Sequence, residues 1–141
     1  MYIYARARMS FGASKHAGNG VLAESPFSTF EEVALYRVGR QTFPVAARSL
    51  VKLASLYSRS RYGLDLMRAS PLAALCQSTT PVLLIHGTAD VNIPPLESRE
   101  LHAANPQSTA LWEVEGAVHV RAMQADPREF QRRVLSWFTE H

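Results

Sequence analysis

Acidic residues are missing from the start of this chain: none precedes Glu24, while Arg6, Arg8 and Lys15 stand unopposed. Three readings fit such a stretch: an organellar transit peptide, a short basic strand, or a displaced start of translation. Cysteine is nearly absent. Cys76 stands alone, which excludes an intrachain disulfide and suits a reducing, cytoplasmic compartment. No apolar run approaches the ~20 residues that a membrane-spanning helix needs, so no membrane span is expected. No run of Lys and Arg interleaved with aromatics occurs; the basic residues are scattered, and nucleic acid is not an expected partner. The histidines (His16, His86, His102, His119 and His141) show no close-set ligand spacing, so neither a metal nor another cofactor is expected. Neither Gly-x-Gly-x-x-Gly nor Gly-Lys-Ser/Thr is present, which argues against a nucleotide-binding domain.

What remains is an ordinary globular composition. The 141 residues are 47% hydrophobic and 19% charged, with a formal charge of +3, enough for one modest domain around a single core. Tyr2–Ala7 alternates β-formers with polar residues and reads as a strand. Met9–Gly20, rich in Gly, Ser and Ala, reads as a turn with at most a short helix. Val21–Glu24 is a brief strand that stops at the turn signal Ser25-Pro26-Phe27-Ser28. Ser28 or Thr29 caps a helix starting at Phe30, with Glu31 and Glu32 at its positive end. Pro44 opens a longer helix over Val45–Tyr57, and Ser58–Met67 reads as a basic, irregular connection.

A short helix at Pro71–Cys76 leads to the strand Val82–His86. Its unbroken apolar run is the pattern of a strand covered on both faces. Pro94–Pro95 opens a helix through Ala104, and Thr109–Val114 is the next strand. Asp126, Pro127 and Glu129 mark the start of a last helix, with Phe130, Val134, Trp137 and Phe138 as its buried stripe. Strands alternating with helices imply an α/β fold with a parallel sheet and right-handed crossovers.

Two residues in this pattern carry chemistry. Asp90 lies just past the strand Val82–His86, after Gly87–Thr88–Ala89 has let the chain turn. Alone, such an aspartate caps the helix near Pro94 or braces its own turn. His119 follows the strand Thr109–Val114 in a loop of small residues; alone, it is a surface histidine. The stretch between them accommodates one helix and one strand. That returns the chain to the carboxyl ends of the strands, where parallel sheets do chemistry. Asp90 then accepts from one ring nitrogen of His119 and leaves the other free as a general base.

The strings HGTADVNIP, LHAANP and VEGAVH, with a final helix ending in Trp-Phe, resemble the C-terminal half of an α/β-hydrolase. The likeness is to the serine-hydrolase group that contains esterase-like and prolyl-aminopeptidase-like enzymes. GVLAESPFSTFEEVA is similar to the strand and turn that follow the nucleophile helix in that group. The resemblance covers 20–141 and implies a partial α/β-hydrolase fold: a parallel half-sheet of three to four strands flanked by helices. Within it, 30–67 is a helical cap-like insertion, and 1–19 is an N-terminal segment with a degraded nucleophile elbow. Asp90 matches the triad acid and His119 the triad base. His86 matches the histidine before the motif glycine and takes no catalytic role.

The elbow string Gly-x-Ser-x-Gly is missing. Its nearest match is Arg8–Met9–Ser10–Phe11–Gly12, with Arg8 in place of the first glycine. Ser10 is thus the candidate nucleophile and the Phe11 N–H the candidate oxyanion donor. Glu24, at its own strand end, is a second candidate acid behind Asp90. The implied reaction is cleavage of a small-molecule ester or amide through an acyl-enzyme, represented by an incomplete chain. The alternative is a hydrolase-like fragment or interaction module without a nucleophile. Tyr36, Phe43, Leu50, Leu53 and Tyr57 are expected to line an apolar pocket or to pack on the sheet. The first strand is expected to expose a free edge that invites self-association.

Overall fold

The structure, a computed structural model, describes residues 2–4 and 20–141. Three parallel strands form the sheet's body: β2 (Val21–Glu24), β3 (Val82–Gly87) and β4 (Thr109–Val114). β1 (Tyr2–Tyr4) adds to the outer side of β2, giving the order β1-β2-β3-β4. It runs antiparallel, with Tyr2 opposite Glu24 and Tyr4 opposite Leu22. The parallel half-sheet expected from the sequence is therefore present in three strands. The fourth runs the other way, and among the described residues β1 is the outermost strand on that side of the sheet. Ser10 and Phe11 lie outside the described residues, as do the rest of Tyr2–Ala7 and most of Met9–Gly20.

Alternation along the strands sorts the core into two layers. Leu22, Leu83 and Ile85 face one side, where they meet Val114, Ala117, Ala122 and the helix α6 (Pro127–Glu140). Ala23 and Leu84 face the other side and pack on Leu75 of α3 (Pro71–Cys76) and Leu101 of α4 (Pro95–Ala104). The central strand is apolar at consecutive positions because both its faces are covered. α6 starts as its sequence indicates: the Asp126 carboxylate accepts the Glu129 N–H at 3.1 Å, and Pro127 occupies the first turn. Phe130, Val134, Trp137 and Phe138 pack on the core from that helix and are half-buried. The chain approaches α6 closely at Gly20, where a Cβ would stand 2.9 Å from Trp137 Nε1.

The connection from β2 to β3 carries α1 (Phe30–Gly39) and α2 (Pro44–Tyr62). Thr29 caps α1 by accepting the Glu32 N–H at 3.2 Å. α2 runs past Tyr57 to Tyr62, so the expected irregular connection begins only at Gly63. Ser58–Tyr62 contains no helix breaker, and Gly63 at φ 69° supplies the left-handed stop. A 3-10 turn at Leu66–Arg68 follows. The one-turn helix α5 (Ala122–Ala125) lies between His119 and α6; the sequence carried no periodic signal for an element so short. Among the described residues, no helix is long and apolar enough to cross a membrane.

Candidate active site

The turn after β3 and the loop after β4 are pressed together, and the contact depends on Gly87. A Cβ at that position would lie 2.1 Å from the Ala117 carbonyl oxygen and 2.9 Å from the Ala117 Cβ. Glycine before the turn and a small residue in the loop thus permit the approach that brings Asp90 to His119. Hydrogen bonds then lace the two segments. Thr88 N–H donates to the Val114 carbonyl (2.9 Å) and Ala89 N–H to the Ala117 carbonyl (3.0 Å). Gly116 N–H donates to Thr88 Oγ1 at 2.9 Å, with Gly116 at φ 68°.

Asp90 is buried, and its two oxygens have separate work. Oδ1 accepts the N–H groups of Asn92 (2.9 Å) and Ile93 (3.0 Å). Oδ2 accepts from His119 Nδ1 at 2.8 Å, across 29 residues of sequence. The turn brace open to sequence alone and the contact with His119 therefore coexist in one carboxylate. Burial pushes the Asp90 carboxyl up, but hydrogen bonds from the Ile93 N–H, the His119 ring, the Ser25 hydroxyl and the Asn92 N–H outweigh it. The net effect holds it below its usual value of 3.8. Asp90 is thus a charged acceptor that fixes which nitrogen of His119 carries the proton.

His119 remains accessible. Its side chain is 24% exposed, and Nε2 has no hydrogen-bond partner among the described residues. His86 is fully buried behind Asp90, with Nε2 at 2.9 Å from the Ile93 carbonyl and Nδ1 hydrogen-bonded to the Ser98 hydroxyl. It steadies the backbone that supplies the Ile93 N–H, and both its nitrogens are committed.

The end of β2 completes the assembly. Ser25 (φ 49°) and Val120 (φ 54°) both adopt left-handed backbone, and a β-branched residue rarely does so. The two are clipped together: Val120 N–H donates to Ser25 Oγ at 3.2 Å. Such conformations cost on the order of 1–3 kcal/mol each and persist where their surroundings hold them. Ser25 is thereby tied to the residue after His119, and its hydroxyl also helps hold the Asp90 carboxyl down. Sequence reasoning missed it; the available signal was its place just beyond a strand, at the same sheet edge. Glu24, the second candidate acid, is used otherwise: its Oε1 accepts the Ala122 N–H at 2.9 Å, at the start of α5.

Among the described residues, those named for an apolar pocket or for packing on the sheet stand mostly in solvent. Phe43, Leu50, Leu53 and Tyr57 are exposed, because α2 docks through its opposite face. The Tyr36 hydroxyl donates to the Val91 carbonyl (3.3 Å). A cavity of about 290 Å³ instead lies between α1, α2 and the 3-10 turn, lined by Glu31, Leu35, Arg48, Val51, Lys52 and Met67. Glu32, Glu97 and Glu100 offer carboxylate oxygens within 4.8 Å of one another. Glu97 is already engaged by the Ser28 N–H (2.7 Å) and hydroxyl (2.6 Å), so the cluster is bound from within.

Parallel strands flanked by helices on both faces, with an acid and a base on adjacent loops at their carboxyl edge, define an α/β-hydrolase-like fold. Solved structures with this fold include an esterase of Pyrococcus furiosus, at 22% identity and a TM-score of 0.59, which covers 89% of this chain and 46% of the esterase. An acylaminoacyl peptidase of Pyrococcus horikoshii is similar at 15% identity and a TM-score of 0.57, over 87% of this chain and 19% of the peptidase. Among curated proteins, the uncharacterized protein YqkD of Bacillus subtilis is 27% identical over 132 residues, 94% of this chain and 41% of YqkD. No protein-family model matches. The chain spans less than half the length of each of these relatives.

Proposed function

We propose that the chain carries the acid and base of a serine hydrolase that cleaves esters or amides of small molecules. The observation that carries this reading is the 2.8 Å contact from His119 Nδ1 to Asp90 Oδ2, made by a ring whose Nε2 is left without a partner among the described residues. His119 Nε2 takes the proton from a serine hydroxyl as that oxygen attacks the substrate carbonyl. It returns the proton to the leaving alcohol or amine, and a water molecule then repeats the sequence to release the acid. Asp90 stays charged throughout and stabilises the imidazolium. Ser10 is the candidate nucleophile, with the Phe11 N–H donating to the developing oxyanion; one such donor is worth on the order of 10²–10³ in rate. The structural neighbours, an esterase and an acylaminoacyl peptidase, support an ester or amide as substrate. A single cysteine fits work in a reducing, cytoplasmic compartment.

One observation favours a second reading, a hydrolase-like module without a nucleophile in place. β1 is antiparallel to β2, so it runs away from the edge that carries Asp90 and His119. A fluorophosphonate probe separates the two. The enzyme reading expects covalent labelling that disappears in both Ser10→Ala and His119→Ala. Labelling that survives Ser10→Ala moves the nucleophile to another serine, and no labelling at all supports the non-catalytic module.

A further inference from the structure

Between Glu32 and Asp65 the chain has no acid, yet it carries Arg37, Arg40, Arg48, Lys52, Arg59 and Arg61. This stretch is net +6 in a chain of formal charge +3, so all other residues together sum to −3. No run of basic residues shows in the sequence, because the concentration comes from missing acids. All six cationic side chains are exposed.

The stretch runs from Val33 in α1 through α2 to Leu64, with Glu31 and Glu32 just before it at the start of α1, and α2 has three bands. Ala47, Val51 and Ser55, four residues apart, are buried and form its docking stripe. Arg48, Lys52 and Arg59 fall side by side next to that stripe at helical spacing. Beyond them, on the outward face, Val45, Leu53 and Leu56 are 81%, 63% and 64% exposed, with Leu50 and Tyr57 beside them and Phe43 at the helix start 83% exposed. Single exposed apolar residues are ordinary, but a contiguous band marks an interaction surface.

We propose that the outer face of α2 seats on the surface of an anionic lipid bilayer, with its apolar band in the headgroup boundary and its flanking cations on lipid phosphates. A helix with a large apolar side, Lys and Arg along its flank and no acids is the pattern of an interfacial helix. Charge selects this occupant over a second copy of the chain, since two such faces would bring Arg48, Lys52 and Arg59 of one copy near those of the other, with no acid on α2 to meet them. Shape selects it over an acidic peptide helix. Peptide helices dock in a groove between elements, whereas this band lies on the outward side of one helix.

Flotation of the full chain with vesicles tests the assignment, using phosphatidylcholine alone and phosphatidylcholine with phosphatidylglycerol. Binding is expected to the phosphatidylglycerol vesicles and to weaken as salt is raised. Leu53→Ser with Leu56→Ser should lower the partition coefficient about tenfold or more. Arg48→Gln with Lys52→Gln should lower it about thirtyfold, roughly fivefold per cation. Leu135→Ser, at a residue on α6 that is 56% exposed, is the control and should bind like the parent. Equal recovery with both vesicle types, or leucine variants that bind like the parent with an unchanged circular dichroism spectrum, overturns the proposal. So does a parent dimer that fails to float and becomes monomeric by light scattering in the leucine variants, which would assign the face to a second copy.

Discussion

Around Asp90 a buried carboxylate is met by the N–H groups of Asn92 and Ile93, the ring of His119 and the hydroxyl of Ser25, while Gly87 and Ala117 touch at the limit of close packing. Along α2, by contrast, large apolar side chains stand in solvent beside exposed cations, and a single stripe of small residues fastens the helix to the rest. The first region satisfies its polar groups with its own backbone and holds two left-handed residues in place. The second leaves its chemistry unsatisfied. A protein stores strain where geometry must be exact for chemistry and leaves apolar surface open where something else is to cover it. Substitutions should therefore act very differently in the two regions.

The largest effect is expected at Gly87. Gly87→Ala drives a Cβ into a backbone carbonyl that cannot rotate away, so urea denaturation should show a loss of about 3 kcal/mol or more. A variant within about 1 kcal/mol of the parent would mean the two loops are not pressed together as described. Asp90→Asn comes next, at about 2 kcal/mol near neutral pH, because a charged acceptor of several buried donors is lost. Its signature lies in pH. Asp90 is held below its usual 3.8 in the folded chain, so its contribution is full above that value and disappears as pH falls through the folded value. Stability measured across that acid range should fall in the parent and fall less in Asp90→Asn.

Ser25→Gly separates strain from hydrogen bonding. Glycine suits φ 49° and relieves the backbone, yet the hydroxyl that serves Asp90 and Val120 is gone. A net loss of about 1 kcal/mol is expected, and the Asp90 carboxyl resonance, followed by ¹³C NMR, should titrate at higher pH than in the parent. An unmoved titration would remove Ser25 from the assembly. The smallest effect belongs to α2: Leu53→Ser should leave stability within about 0.5 kcal/mol in the same urea experiment. A larger loss would show that the outer face is packed after all and erase the contrast.

The second half of the chain was legible before any coordinates. An unbroken apolar run located β3, the β-rich stretch Thr109–Val114 located β4, and the Asp126-Pro127-Glu129 start with its apolar stripe located α6, because these signals are local. Asp90 and His119 were legible as a pair through the strings around them, and the structure brings the two within hydrogen-bond distance. Less could be read in the α1–α2 hairpin. The apolar residues of α2 marked a helix but not which side would be covered, and its stop waited for Gly63. The antiparallel direction of β1 was likewise invisible, since alternation along a strand is the same in either direction.

By itself, then, the sequence determined the α/β alternation, the sheet edge at which an acid and a histidine meet, and the small residues that let them meet. Those follow from periodicity, caps and turns, which act within a few residues. Tertiary structure alone decided that Ser25 clips Val120 across 95 residues, that Glu24 is spent on Ala122 across 98, and that α2 turns its leucines outward. Such contacts depend on how distant segments stack against one another, and no local pattern encodes that stacking.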